Sequence, residues 1–177
     1  MMEDILISFK ALKKRREKLT YDIQTIAAEQ LVHRPGPDKW SVLQHLQHII
    51  WGERAIRMSE AELRNNPVRE HLKPGKLVAV VKDVLDKDIP VDVPDASLTP
   101  DGKSSLPELL ELWKQEPEGL NLLLETVSEK NFRKVIFSHP AAGPLTPLLA
   151  LELALAHFDS HRRQIELICG EKVKDGM

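Results

Sequence analysis

The run Thr146-Pro147-Leu148-Leu149-Ala150-Leu151-Glu152-Leu153-Ala154-Leu155-Ala156-His157-Phe158-Asp159-Ser160-His161-Arg162-Arg163-Gln164-Ile165-Glu166-Leu167-Ile168-Cys169-Gly170 decides the fold. It is the longest apolar, helix-forming stretch of the chain. Thr146 is a good N-cap, and Pro147 suits the first helical position, where a missing N–H leaves nothing unsatisfied. The helix is expected to run to about Cys169, with Gly170 as its left-handed C-terminal cap. One face carries Ala150, Ala154, His157, His161, Gln164 and Ile168, at alternating spacings of four and three. That is a core-facing stripe with polar groups at its centre, and polar groups facing a core need partners.

Three more helices accompany it. Ile5, Phe9, Leu12, Leu19, Ile23 and Ile26 recur at near-helical spacing and predict a first helix over Met2 to Glu29. Its Lys13-Lys14-Arg15-Arg16 run reads as a solvated face. His33-Arg34-Pro35-Gly36-Pro37 closes it in a loop. Ser41 and Gln44 then form a capping-box pattern that opens a second helix from Val42 to about Asn65. Ser105 and Glu108 open a third, with Leu109, Leu112, Trp113, Leu120, Leu123 and Leu124 on its buried face and a kink or split at Pro117. The proline-rich stretch between Asn66 and Ser105 is one long irregular connection, with a short helix over Leu77 to Leu85 or a strand over Leu77 to Val81. Phe132 to Phe137 is an extended connector and His139 to Leu145 a turn. The reading is an all-α, four-helix bundle, one domain over residues 1–177.

Composition narrows the function. The 177 residues carry a net charge of -2, so no basic excess points to nucleic acid. No apolar run reaches the roughly 18 residues of a membrane span, and the N-terminus lacks the apolar core of a signal peptide. With a single cysteine, Cys169, no internal disulfide forms, and a cytoplasmic location is expected. Cys169 itself reads as a small core residue.

The chemistry lies with the histidines. His157 and His161 stand one turn apart, with Cβ atoms about 5–6 Å from each other, so both imidazoles reach a single metal ion. The alternative is a pair of ordinary core or surface histidines. A third ligand must come from another helix, and both His45 and His48 are candidates at the start of the second. Gln164, one turn past His161, is either a hydrogen-bond partner behind the ligands or a polar group of the helix end. Glu53 and Glu152 are read as surface residues, and His33, His71 and His139 as exposed loop residues. No H-E-x-x-H, G-x-S-x-G, P-loop or G-x-G-x-x-G pattern occurs.

Three segments in order carry a family resemblance. They are Trp40-Ser41 followed by His48-Ile49, then His139-Pro140 with Gly143, Leu145 and Thr146, then His157-x3-His161-x2-Gln164-Ile165. Together they resemble the DinB-like superfamily of bacterial helical-bundle proteins. The resemblance implies an up-down-down-up bundle, usually a homodimer, with a three-histidine divalent metal site. It places the ligands at His48, His157 and His161 and leaves His45 outside. Zinc or nickel is the expected metal, with iron or manganese as further candidates. Relatives of this kind include thiol-dependent S-transferases, so the partner expected is a small-molecule substrate, possibly a thiol. A metal-dependent hydrolase and a non-enzymatic metal-binding stress-response protein are the alternatives. Neither nucleic acid nor membrane is expected as a partner.

Overall fold

The computed structural model describes residues 2–65, 75, 77–89, 96–115, 127–129, 132–135 and 137–175. The chain is mostly helical. Among the described residues the helices are α1 (Met2–Ile23), α2 (Ala28–Val32), α3 (Val42–Asn65), α4 (Val78–Asp86), α5 (Leu106–Gln115) and α6 (Pro147–Asp175). A 3-10 turn, Ala96–Leu98, stands between α4 and α5. Pro117, Leu120, Leu123, Leu124 and His71 lie outside the described residues, so the kink and the lower part of the third helix's apolar face do too.

Cross-helix contacts fix the directions. Arg15 of α1 donates to both carboxylate oxygens of Asp159 at 2.8 and 3.0 Å, and Gln30 donates to the Cys169 carbonyl. So α1 and α2 advance alongside α6 in the same sense. His45 meets His161 and His48 meets His157, so α3 runs against α6. Gly102 meets Gln47 and Trp113 meets Glu53, so α5 follows α3. The order is up, down, down, up. Ile5, Leu12, Leu19 and Ile23 from α1 join Leu46, Ile49 and Ile50 from α3, Leu109 and Trp113 from α5, and Leu151, Phe158 and Ile165 from α6 in one core. Burying each such side chain contributes about 1.5–3 kcal/mol before the entropy of ordering it is charged against it.

Local rules explain the helix starts. Ser41 and Gln44 close a reciprocal capping box: the Ser41 N–H donates to Gln44 Oε1 at 3.0 Å and the Gln44 N–H to Ser41 Oγ at 3.3 Å. At α5 the Ser105 N–H donates to Glu108 Oε2 at 2.7 Å. Thr146 Oγ1 accepts from the Leu149 N–H at 3.4 Å.

Four expectations change. The first helix ends at Ile23 rather than Glu29, because Thr25 Oγ1 donates to the Asp22 carbonyl and Gln24 and Ile26 bond three residues back, which turns the chain before α2. Within the basic run, Lys13 and Lys14 are exposed, but Arg15 is half-buried against Asp159 and Arg16 is buried. Residues 137–145 form a two-stranded antiparallel hairpin, β1 (Phe137–His139) with β2 (Gly143–Leu145). Gly143 closes its turn at φ 74, a left-handed conformation that costs glycine nothing. Finally, α6 continues past Gly170 to Asp175, so that glycine is no cap. Of the two options for the segment after residue 76, the helix is found: α4 lies on α6, tied by Arg163 to Asp88 and to the Leu85 carbonyl.

Candidate metal centre

The site is built where the start of α3 crosses the middle of α6. The capping box at Ser41 fixes the first turns of α3 and sets His45 and His48 on its inner face. On α6, the i, i+4 spacing stacks His157 and His161 on the face that meets them. The structure brings His48, His157 and His161 together, with one ligand atom from each lying within 4.8 Å of the others. His157 Nε2 is 3.0 Å from His48 Nε2 and 3.1 Å from His161 Nε2.

Two of the far ring nitrogens are held as well. His48 Nδ1–H donates to the Leu98 carbonyl at 2.8 Å, so in its neutral form His48 presents a bare Nε2 lone pair to the cluster. His161 Nδ1 lies 3.0 Å from His45 Nδ1. The Gln164 side chain, accepting from the ring, pulls His161 upward, the smallest of the influences on it. Gly52 lies beside His157; a Cβ there would sit 3.4 Å from Cε1, so anything longer than alanine would press on the ring. Trp40 walls the cluster, with its ring centroid 4.9 Å from His48, 5.4 Å from His45 and 5.9 Å from His161, nearly parallel to the last.

Burial holds these imidazoles neutral. It pushes His157 down to about 3, helped by His48 and His139, and His45 down to about 4, helped by His48. His161 is pushed well down, first by burial and then by the neighbouring imidazoles. His48 is also lowered by burial, against an opposing pull from its bond to Leu98. Neutral imidazole is the form that ligates a metal.

Hydrogen bonding alone does not satisfy this donor set. A proton on His157 Nε2 answers one of its two close contacts and leaves the other facing a lone pair. One cation answers all three lone pairs together, so the residues present fit a divalent metal. Three inward nitrogens, two of them with the outer nitrogen tied back, follow the pattern that metal-binding histidines use.

Other expectations fare differently. His45 packs behind His161 rather than standing among the three converging ligands. Glu53 is buried, not a surface residue: its Oε2 accepts from the Trp113 indole N–H at 2.9 Å and lies 3.2 Å from an Arg16 guanidinium nitrogen. Glu152 is half-buried and pairs with Lys82. His139 is half-buried in the hairpin, and its Nδ1 accepts from the Ala141 and Ala142 N–H groups. Cys169 is half-buried, and burial raises its thiol, which agrees with a packing role. Neither Trp40 as a wall nor the Leu98 carbonyl behind His48 follows from residue pattern.

Among the described residues, no helix is long and apolar enough to cross a membrane. No curated protein matches the chain. The model of one family does match it, over residues 11–165, a span that takes in the histidines of both α3 and α6: the chain belongs to the DinB superfamily.

Proposed function

We propose that this protein is a metal-dependent enzyme in which His48, His157 and His161 hold one divalent cation, zinc or nickel in the first instance, and which acts on a small molecule together with a low-molecular-weight thiol. The convergence of three neutral imidazoles on one point carries this reading. Three protein ligands suit a catalytic centre better than a closed structural one, since a structural zinc usually takes four. A cation bound there supplies Lewis acidity, which lowers the pKa of a thiol or water at the position the imidazoles leave open.

The protein's own part is placement. Leu98 holds the His48 ring by its outer nitrogen. Trp40 shields one side of the cluster and keeps its dielectric low. Gln164 steadies His161. With the cation bound, a thiol there would give up its proton near neutral pH, and its sulfur would bond to an electrophilic carbon of the substrate as that carbon's bond to a leaving group breaks, which is the S-transferase reading. A homodimer belongs to the same proposal.

Elemental analysis after reconstitution with zinc or nickel tests the site. One ion per chain is expected for the wild-type protein and none for His157→Ala or His161→Ala, with the helical far-UV signal retained in both. Wild-type metal content in either variant would overturn the assignment. The cobalt-substituted protein tests the thiol: its visible spectrum should change on adding a low-molecular-weight thiol. A spectrum blind to thiols would favour the non-enzymatic metal-binding protein.

A further inference from the structure

His45 is the buried histidine that the three converging ligands do not explain. It is 6 % exposed, no more than His48 or His161, and its ring is held on two sides. Trp40 packs edge-on at 5.4 Å, and His161 faces it through Nδ1 at 3.0 Å. Its backbone is fixed too, because the His45 N–H closes the first turn of α3 on the Ser41 carbonyl at 3.0 Å.

We propose that His45 is a positioning residue for the metal centre: its Nδ1 accepts the Nδ1–H of His161 and so holds that ring with Nε2 turned toward His48 and His157. The inference rests on the metal reading and extends it to a residue outside the ligand set. Its logic is a proton count. A neutral imidazole carries one N–H, and the nitrogen that binds a metal cannot be the one that carries it. If Nε2 of His161 is the ligand, the proton sits on Nδ1, and the nearest acceptor is His45 Nδ1. His45 must then carry its own proton on Nε2. The pair is thus one hydrogen bond with a single allowed direction. Leu98 does the same for His48, so two of the three ligands are each anchored by a partner from a different segment of the chain. Losing such an outer partner typically weakens metal binding about 10–100-fold.

Cobalt(II) binding by the full chain tests this through two substitutions. His45→Leu fills the space but removes the acceptor, and its cobalt dissociation constant should rise about 10–100-fold. His45→Asn keeps an acceptor on the same γ carbon, so most of the affinity should return and the visible spectrum should approach that of the wild-type protein. A folded His45→Leu protein with wild-type affinity would overturn the proposal while leaving the metal reading intact. Failure of the wild-type protein to bind cobalt would overturn both. Should His45→Leu not fold, ring-nitrogen NMR of the zinc-loaded wild-type protein decides. The proton is expected on Nδ1 of His161 and on Nε2 of His45; a proton on Nδ1 of His45 would overturn the assignment.

Discussion

Two buried polar clusters lean on the same helix, less than two turns apart, and they solve burial in opposite ways. Around Glu53 the charges are complementary: Arg16 and the Trp113 indole both meet Oε2, and the guanidinium also lies over the Trp113 ring at 4.9 Å. Around His48 no charge stands against another. Four neutral imidazoles crowd together, and three turn their lone pairs to one point. The first cluster supplies its own cation in Arg16. The second is arranged to receive one. Breaking the first should therefore cost stability and leave metal binding alone. Glu53→Leu takes a carboxylate partner from the buried Arg16 and should lower unfolding stability by about 3–5 kcal/mol, read by urea denaturation. Arg16→Leu combined with Glu53→Leu should recover most of that loss, because the buried guanidinium goes with its carboxylate partner. Metal stoichiometry should remain that of the wild-type protein throughout. Loss of metal in a folded Glu53→Leu protein would mean that the two clusters form one unit.

The same contrast says which parts could be read from the sequence. The capping boxes at Ser41 and Ser105 are local, and both are formed as the residue types require. The His157 and His161 pairing follows from helical spacing alone. The Arg16 and Glu53 pair is written in the sequence but disguised by its neighbours. Arg16 lies four residues past Leu12 and three before Leu19, inside the apolar stripe of α1, and Glu53 continues the stripe of Leu46, Ile49 and Ile50 on α3. Two opposite charges on two core-facing stripes predict each other, yet the adjacent lysines made the run look solvated. The Leu98 carbonyl was not legible at all, being a backbone group 50 residues from His48 in a segment with no periodic pattern. Nor could the residues alone choose between His45 and His48. Both fall on the inner face of α3, and only the resemblance prefers His48 as the candidate ligand.

Acid should separate the clusters further. The folded protein holds His45 near 4 and His157 near 3, while in the unfolded chain both titrate near the ordinary 6.5. Below pH 6.5 the unfolded state therefore binds protons that the native state refuses. Stability is fully present above that value and falls as the pH drops, levelling off only below the folded values. Each such histidine contributes a slope of up to about 1.4 kcal/mol per pH unit in this window. The depressed carboxylates Asp88, Asp101 and Glu108 act in the same direction but only nearer their ordinary values of 3.8 to 4.5 and below, so pH 6.5 to 5 isolates the imidazoles. Chelator-treated protein should lose thermal stability steadily across that range, and His157→Ala should flatten the curve. An unchanged slope in that variant would place the acid sensitivity outside the histidine cluster.

The smallest effect should come from the cap that precedes both clusters. Ser41→Ala removes one side-chain acceptor from the first turn of α3 and should cost about 1 kcal/mol of stability. The helix itself should survive, since Leu46, Ile49 and Ile50 pin it into the core. His45 and His48 would then keep their backbone positions, while their rings are set by His161 and Leu98 rather than by the cap. Metal affinity should accordingly change by less than the effect of removing an outer partner, about 10-fold at the least. A lowered melting temperature with near-wild-type metal binding is the expected pair of results. A large loss of affinity would mean that the frame of α3, and not the tie of each ring, governs the site.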